Sequence, residues 1–123
     1  MDTHTISICS GYGGIELGLS AVVPGIRTVC YVENEVSVCE ILGARIKDGL
    51  LDDAPIWTDL RTFDATAWRG RVHLITGGFP CQPHSVAGNR KGTDDSRELS
   101  GEVLRIAGEL GYPTLYLENV PGI

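Results

Sequence analysis

Long apolar segments, paired cysteine motifs and an excess of positive charge are all missing from this 123-residue sequence. No apolar run approaches the roughly 20 residues that a membrane-spanning helix needs. The first residues lack the basic and apolar regions of a signal peptide. The four cysteines form no Cys-x-x-Cys pair and have no histidines at zinc-ligand spacing. We therefore expect reduced thiols, three of them ordinary core residues, no bound metal, and a cytoplasmic protein.

The formal net charge of −6 argues against autonomous, non-specific binding to nucleic acid, because such binding depends on neutralising phosphates. Residues 1–68 carry four Lys or Arg against ten Asp or Glu, whereas residues 69–123 carry six against six. A polyanion is therefore expected to contact the second part of the chain. The hydrophobic fraction of 42% is typical of a globular protein, and the length suffices for one small domain.

Short apolar runs alternate with helix-like stretches along the chain. Strands are predicted at residues 5–9, 27–32, 55–58, 72–76 and 114–118, and helices at residues 15–22, 35–47 and 98–110. Residues 77–97 are rich in Gly, Pro, Asn and Asp and predict a long loop, either functional or disordered. The alternation indicates an α/β fold with a mostly parallel sheet of about five strands. In such sheets, ligands bind beyond the carboxyl ends of the strands.

Features at three predicted strand ends are compatible with a nucleotide-type cofactor. The turn at residues 10–14 (SGYGG) lies between a strand and a helix, where it suits either a ligand loop or a simple tight turn. Glu33 follows the second strand, about twenty residues later, where such folds place an acid on ribose hydroxyls. Taken alone, Glu33 also suits a helix cap or a solvated position. Asp59 follows the third strand and suits either a hydrogen bond to an exocyclic amine or a helix cap.

Two later features suggest covalent chemistry. Residues 77–83 (GGFPCQP) place Cys81 near two prolines at a strand end. The prolines restrict the backbone around Cys81 and therefore also the direction of its thiol. A thiolate is a strong nucleophile, and this position favours a reactive thiol over a structural one. Residues 118–120 (ENV) end the fifth strand, where partial desolvation of Glu118 would favour its protonated form. An ordinary solvated acid is equally consistent with that position.

In this order, these elements resemble the C5-cytosine DNA methyltransferase family. The Pro-Cys-Gln motif carries the resemblance, together with Gly-Gly-Phe before it and the later Glu-Asn-Val. Further matches are Ser85, Gly88, Lys91-Gly92 and Asp95-Ser96-Arg97, so that the resemblance runs from about residue 7 to the last residue. The glycine turn and residues 56–63 look most like phage or prophage members. The resemblance implies a Rossmann-like class I S-adenosylmethionine-dependent methyltransferase fold and double-stranded DNA as substrate.

By this resemblance, the cofactor S-adenosylmethionine binds at the carboxyl ends of the strands. The glycine turn would line its methionine part, Glu33 would bind the ribose hydroxyls, and Asp59 would bind the adenine amine. The predicted cofactor-binding residues are Cys9, Ser10, Gly11, Gly13, Gly14, Glu33, Asn34, Asp59, Leu60, Gly78 and Pro80. Many family members carry phenylalanine at the position of Cys9, where it packs on the adenine. The thiol departs from that pattern and predicts a weaker contact.

The resemblance also implies covalent chemistry on a cytosine flipped out of the duplex. Cys81 would attack C6 of the base, and Glu118 would hydrogen-bond its ring N3 and exocyclic amine. C5 would then accept the methyl group, and loss of the C5 proton would release the enzyme. The predicted DNA-contacting loop residues are Gln82, Ser85, Asn89, Arg90, Lys91 and Arg97.

The family pattern continues past Glu-Asn-Val with a Gln-x-Arg-x-Arg motif, a target-recognition domain and an asparagine motif, and residues 1–123 contain none of these. We therefore expect the cofactor-binding and catalytic part of a methyltransferase domain, of a type that occurs in restriction–modification systems. A complementary polypeptide would supply the missing motifs, or the chain would self-associate through an exposed fifth strand. Two other interpretations stay open: a non-catalytic remnant that binds S-adenosylmethionine or a partner, and an RNA cytosine-5 methyltransferase.

Overall fold

A computed structural model describes residues 2–78 and 91–118, with the backbone alone described at residues 91–98. The strands are β1 (Thr3–Ile8), β2 (Ile26–Val32), β3 (Ile56–Trp57), β4 (Leu74–Gly78) and β5 (Thr114–Glu118). The helices are α1 (Gly14–Val22), α2 (Val36–Lys47) and α3 (Lys91–Leu110). Two short 3₁₀ helices, Leu60–Thr62 and Thr66–Trp68, lie between β3 and β4.

The five strands form one parallel sheet in the order β3-β2-β1-β4-β5. The strand order reverses between β1 and β4, so the connections that leave these two strands diverge and open a crevice at their carboxyl ends. The predicted α/β fold with a parallel sheet is confirmed. The expected position of the fifth strand at an edge is confirmed as well, since β5 pairs with β4 on one side only within the described chain.

The main apolar core joins the sheet to α3. Ile6 and Ile75, from β1 and β4, are fully buried and belong to one cluster with Val103 and Ile106 of α3. Fully burying a side chain of this size stabilises the fold by roughly 1.5–3 kcal/mol. A second, smaller cluster around Leu42 packs α2 against β2. Packing against α2 and α3 therefore stabilises the central strands and fixes the positions of their carboxyl ends, where a site can form.

The predicted loop over residues 77–97 is wrong at both ends. Gly77 and Gly78 continue β4, and α3 begins at Lys91, seven residues before the predicted start at Glu98. Residues 91–98 lack apolar periodicity, which is why the sequence pattern does not indicate a helix there. No proline lies between Pro83 and Pro113, however, so nothing in the chain interrupts helical hydrogen bonding ahead of the amphipathic part.

Residues 2–78 and 91–118 contain no candidate for a membrane span or for a metal site. No helix there is both long and apolar enough to cross a membrane. The same ranges hold no cluster of His, Cys, Asp or Glu that could ligate a metal ion.

Candidate functional site

A cavity of about 660 Å³ opens at the carboxyl ends of the strands. Its walls come from the segments that follow β1, β2 and β3, from the end of β4, and from one residue of α3, Leu99. Small-molecule sites typically have volumes of about 300–1,000 Å³. The predicted cofactor-binding residues that line the cavity are Cys9, Gly11, Glu33, Asn34, Asp59, Leu60 and Gly78.

The carboxylate of Glu33 is held on the cavity wall by two backbone amides. Its Oε1 accepts a hydrogen bond from the Gly11 N–H at 2.9 Å, and its Oε2 accepts one from the Glu35 N–H at 3.0 Å. Gly11 has φ 56°, a left-handed conformation that glycine adopts without strain and that presents its N–H to the acid. Each carboxylate oxygen has more than one acceptor site. Glu33 can therefore accept further hydrogen bonds from ligand hydroxyls.

Asp59 is the capping residue that precedes the first 3₁₀ helix, at the edge of the cavity. Its Oδ1 accepts a hydrogen bond from the Arg61 N–H at 2.9 Å, which is the helix-cap role that the sequence left open. The cap occupies one oxygen of an exposed carboxylate that also lines the cavity. Capping and recognition of a ligand amine are therefore compatible for this residue.

Ser10, Gly13 and Gly14 are not among the cavity-lining residues and shape the turn itself. The Ser10 hydroxyl is buried and donates to the Ser7 carbonyl at 3.1 Å. Gly13 has φ 77° and precedes α1, and a Cβ at this position would lie 2.5 Å from Leu51 Cδ1. The expected contact of these three residues with the methionine part of the cofactor stays a prediction.

The three cysteines of the described ranges are free thiols with raised pKa values. Burial, and then the nearby Glu33 carboxylate, raises the pKa of Cys9 to about 11. Burial raises the pKa of Cys30 to about 11, and burial together with Glu33 raises the pKa of Cys39. Because the thiolate is the nucleophile, a raised pKa makes each of these three thiols less reactive than an ordinary exposed thiol.

The expectation that Cys9, Cys30 and Cys39 are ordinary core residues holds fully for Cys30 alone. Cys9 is half-buried on the cavity wall, with a left-handed φ of 49°. Its position follows from the end of β1 at Ile8, after which the chain turns into the glycine loop. Cys39 is half-buried on α2 and donates to the Glu33 carbonyl. The apolar runs around these cysteines did not indicate that Cys9 lines the cavity or that Cys39 contacts Glu33, a residue of the cavity wall.

The ends of β4 and β5 bring Glu118 beside Gly78. The strand register pairs these two residues, and a Cβ at Gly78 would lie 3.3 Å from Glu118 Oε2. Glu118 is exposed among the described residues, because β5 is the outer strand of the sheet there. Its expected partial desolvation stays a prediction, since residues 79–90 and 119–123 lie outside the described ones. The predicted residues outside the described ones are Pro80, Cys81, Gln82, Ser85, Asn89 and Arg90, and the side chains of Lys91 and Arg97 are not described either.

Sequence reasoning missed cavity-lining residues on two helices, and it missed one buried polar contact of a residue that does not line the cavity. Val38 of α2 and Leu99 of α3 line the cavity, and they were interpreted only as apolar positions of helices. Val38 follows the end of β2 closely in the sequence, and this closeness is a signal that could have identified it. Leu99 lies far along the chain from the end of β4 and carries no such signal. Glu16, by contrast, is buried at the start of α1, where its Oε1 accepts a hydrogen bond from Thr76 Oγ1 at 2.7 Å. No spacing rule predicts that pairing across 60 residues.

The sequence is similar to that of known methyltransferases along its whole length. Residues 3–123 match the family model for C-5 cytosine-specific DNA methylase. The chain is 36% identical over 123 residues to the Type II methyltransferase M.NgoMIV of Neisseria gonorrhoeae, covering 100% of this chain and 37% of that protein. It is 35% identical over 127 residues to the Type II methyltransferase M.AquIA of Picosynechococcus sp., covering 100% of this chain and 50% of that protein. The chain thus spans half or less of the length of these relatives.

Among solved structures, the fold is similar to that of the S. pombe Dnmt2 methyltransferase. The TM-score is 0.68 at 20% sequence identity, and the match covers 99% of this chain and 36% of that one. This likeness supports the Rossmann-like methyltransferase fold. Since the family model spans almost all of its residues, the chain belongs to the C-5 cytosine-specific DNA methylase family.

Proposed function

We propose that this chain is the cofactor-binding and catalytic part of a DNA cytosine-5 methyltransferase. The observation that carries the proposal is the pairing of Gly78 with Glu118 at the carboxyl edge of the sheet, beside the cavity. Cys81 follows Gly78 by three positions in the sequence, so the segment with the nucleophile motif begins next to the acid of the Glu-Asn-Val motif. The family implies S-adenosylmethionine as methyl donor.

The cavity fits an adenosyl group. Glu33 has acceptor sites for two ribose hydroxyls, and Asp59 supplies a carboxylate for the exocyclic amine of the base. Leu60 and Leu99 add apolar surface on which a purine ring could pack. When bound there, S-adenosylmethionine supplies an electrophilic methyl group to C5 of the target base and is left as S-adenosylhomocysteine.

The chain's own residues would supply the covalent part of the chemistry. The Cys81 thiolate forms a bond to C6 of the cytosine, and the displaced electron pair makes C5 nucleophilic. Glu118 hydrogen-bonds N3 and the exocyclic amine, which stabilises the charge that develops on the ring. After C5 is methylated and its proton passes to a base, the sulfur–C6 bond breaks and the thiolate is restored. Burial raises the pKa of Cys9, Cys30 and Cys39, which disfavours their thiolate forms and is consistent with assigning this role to Cys81.

The test is transfer of labelled methyl from S-adenosylmethionine to unmodified duplex DNA by the wild-type chain and by Cys81→Ser. We expect label on DNA with the wild type and a fall to background with the variant, because a hydroxyl is a far weaker nucleophile than a thiolate. Cys30→Ala is the matched control, since this thiol is buried in the core and has a raised pKa. That variant should keep the activity.

The other outcomes separate the remaining interpretations. Label on DNA that survives Cys81→Ser would contradict the covalent mechanism. Label on transfer RNA in place of DNA would favour the RNA interpretation. No label from a chain that is folded and binds S-adenosylhomocysteine would overturn autonomous activity, leaving a binding remnant or a subunit that needs another polypeptide.

We also propose that another polypeptide strand completes the sheet at β5. All five residues of β5 are exposed, and three of them, Leu115, Tyr116 and Leu117, are large and apolar. An apolar edge strand is a template for pairing. The occupant is a complementary polypeptide or a second copy of the chain. DNA as substrate would place the protein in the cytoplasm of a bacterial cell.

A further inference from the structure

The guanidinium of Arg105, on α3, binds the segment that follows β3. Its Nη2 donates to the Leu60 carbonyl at 2.9 Å, and its Nη1 donates to the Phe63 carbonyl at 2.8 Å. These two carbonyls lie at the start of the first 3₁₀ helix and directly after its end. One side chain of α3 therefore holds both ends of a single helical turn.

Two acids of α3 orient this guanidinium. Glu102 accepts from Arg105 Nε at 2.7 Å, and Glu109 accepts from Arg105 Nη1 at 2.8 Å. Glu109 also accepts from the Ala65 N–H at 3.0 Å, which adds a second contact to the same segment. A guanidinium presents its donors in a rigid planar fork, whereas the ammonium of lysine is a point charge. Arginine alone among the basic side chains can serve these partners together.

The turn that Arg105 holds is the one that Asp59 caps. Asp59 Oδ1 accepts from the Arg61 N–H, so the direction of this carboxylate depends on the backbone of the turn. Asp59 and Leu60 both line the cavity, but Arg105 does not. Any effect of Arg105 on a ligand would therefore act through the position of the turn and not through contact.

We propose that Arg105 is a positioning residue for recognition of the adenine amine, because it holds the turn from which Asp59 reaches the cavity. This inference rests on the proposed function, since it takes the adenosyl end of the cofactor to bind beside Asp59. Neither the glycine loop nor Glu33 contacts Arg105 in the described chain, so the ribose end of the site does not depend on it.

The test compares two ligands, S-adenosylhomocysteine and S-inosylhomocysteine, by isothermal titration calorimetry on the whole chain. The second ligand has an oxygen in place of the adenine amine. We expect the wild type to prefer the adenosyl ligand by about tenfold or more, as for a hydrogen bond to a charged group. Asp59→Asn should remove most of this preference. Arg105→Lys should reduce it several-fold and leave the affinity for the inosyl ligand almost unchanged.

A double-mutant cycle makes the test specific. If Arg105 acts through Asp59, the variant with both substitutions should lose no more preference than Asp59→Asn alone. Arg69→Gln is the matched control, because Arg69 also binds a carbonyl of α3, that of Gly108 at 3.2 Å, but contacts no residue of the cavity wall in the described chain. It should keep the wild-type preference.

Three results would overturn the inference. They are an equal loss of affinity for both ligands in Arg105→Lys, additive losses in the cycle, or an unchanged preference. If Arg105→Lys does not fold, Glu109→Gln replaces it, since that change removes the charge facing Arg105 and keeps an oxygen for the Ala65 N–H. Failure of the wild type to bind S-adenosylhomocysteine would overturn the proposed function itself. This result differs from the three above, so failure of the inference and failure of the proposed function can be distinguished.

Discussion

At the scale of single residues, the carboxylate of Glu33 is the side chain on which the cavity depends most. It joins the loop after β1 to the loop after β2, through the Gly11 and Glu35 amides. Its charge also contributes to the raised pKa of Cys9 and of Cys39. The sequence position of Glu33 at a strand end suits several roles. In the structure its carboxylate fixes the two loops relative to each other.

Glu33→Gln should weaken binding of S-adenosylhomocysteine by about 10- to 100-fold. A hydrogen bond that involves a charged group contributes about 1.5–3 kcal/mol, and a neutral amide has only one oxygen with which to accept. Isothermal titration calorimetry at neutral pH measures the change. Glu40→Gln is the control, because it removes the same charge from an exposed position of α2. An affinity that is equal in Glu33→Gln and the wild type would contradict the role of Glu33.

At the scale of secondary-structure elements, α1 needs glycine in the turn that precedes it and does not need glycine in its middle. Gly13 combines φ 77° with a neighbour, Leu51 Cδ1, that a Cβ would approach to 2.5 Å. Gly18, in the middle of α1, has ordinary helical φ, and a Cβ added there would have no atom within 4 Å. The same substitution should therefore have opposite effects at the two sites.

Gly13→Ala should lower the free energy of unfolding by about 1–3 kcal/mol, through left-handed strain and steric overlap. Gly18→Ala should raise it by about 0.5–1 kcal/mol, because alanine loses less backbone entropy in a helix. Urea denaturation followed by circular dichroism measures both. In the Leu51→Ala background, Gly13→Ala should cost less, since the overlap is removed and only the strain remains. Equal effects of the two glycine substitutions would refute this account of the turn.

The third helix shows where sequence patterns lose information at this scale. Its apolar positions from Leu99 onward face the core and predict a helix. Its first eight residues carry no such pattern, so the predicted loop extended too far. Helix continuation there depends on backbone hydrogen bonding and the absence of proline, and neither leaves an apolar period in the sequence.

At the scale of the whole molecule, the sheet has one apolar edge that the described chain leaves open. A parallel sheet normally has both faces covered and few exposed apolar strands. Here β5 is exposed along its whole length, and Tyr116 is 53% exposed. Under the proposal that another strand completes the sheet, this edge is the surface at which association would occur.

Tyr116→Lys should reduce association of the chain at tens of micromolar, because a lysine on an edge strand opposes pairing. Sedimentation velocity of the wild type should show a concentration-dependent increase in mass, and the variant should sediment as a monomer. Val22→Lys is the control, since it adds the same charge at a position that is 74% exposed at the end of α1. A wild type that stays monomeric, alone and with a candidate complementary polypeptide, would count against the proposed edge contact.

The sequence by itself determined the class of fold and indicated acids at three strand ends. Apolar periodicity and strand-end chemistry are local properties, so five strands and the positions of Glu33, Asp59 and Glu118 could be predicted from them, whereas the roles of these acids are implied by the family resemblance. The tertiary structure decided what depends on contacts between distant residues. It arranged the strands as β3-β2-β1-β4-β5, tied Glu33 to Gly11, and exposed Glu118 at an edge. It also brought Arg105 to the carbonyls of Leu60 and Phe63, across more than 40 residues. No local pattern encodes such a contact, because its partners meet only after the sheet and α3 have packed.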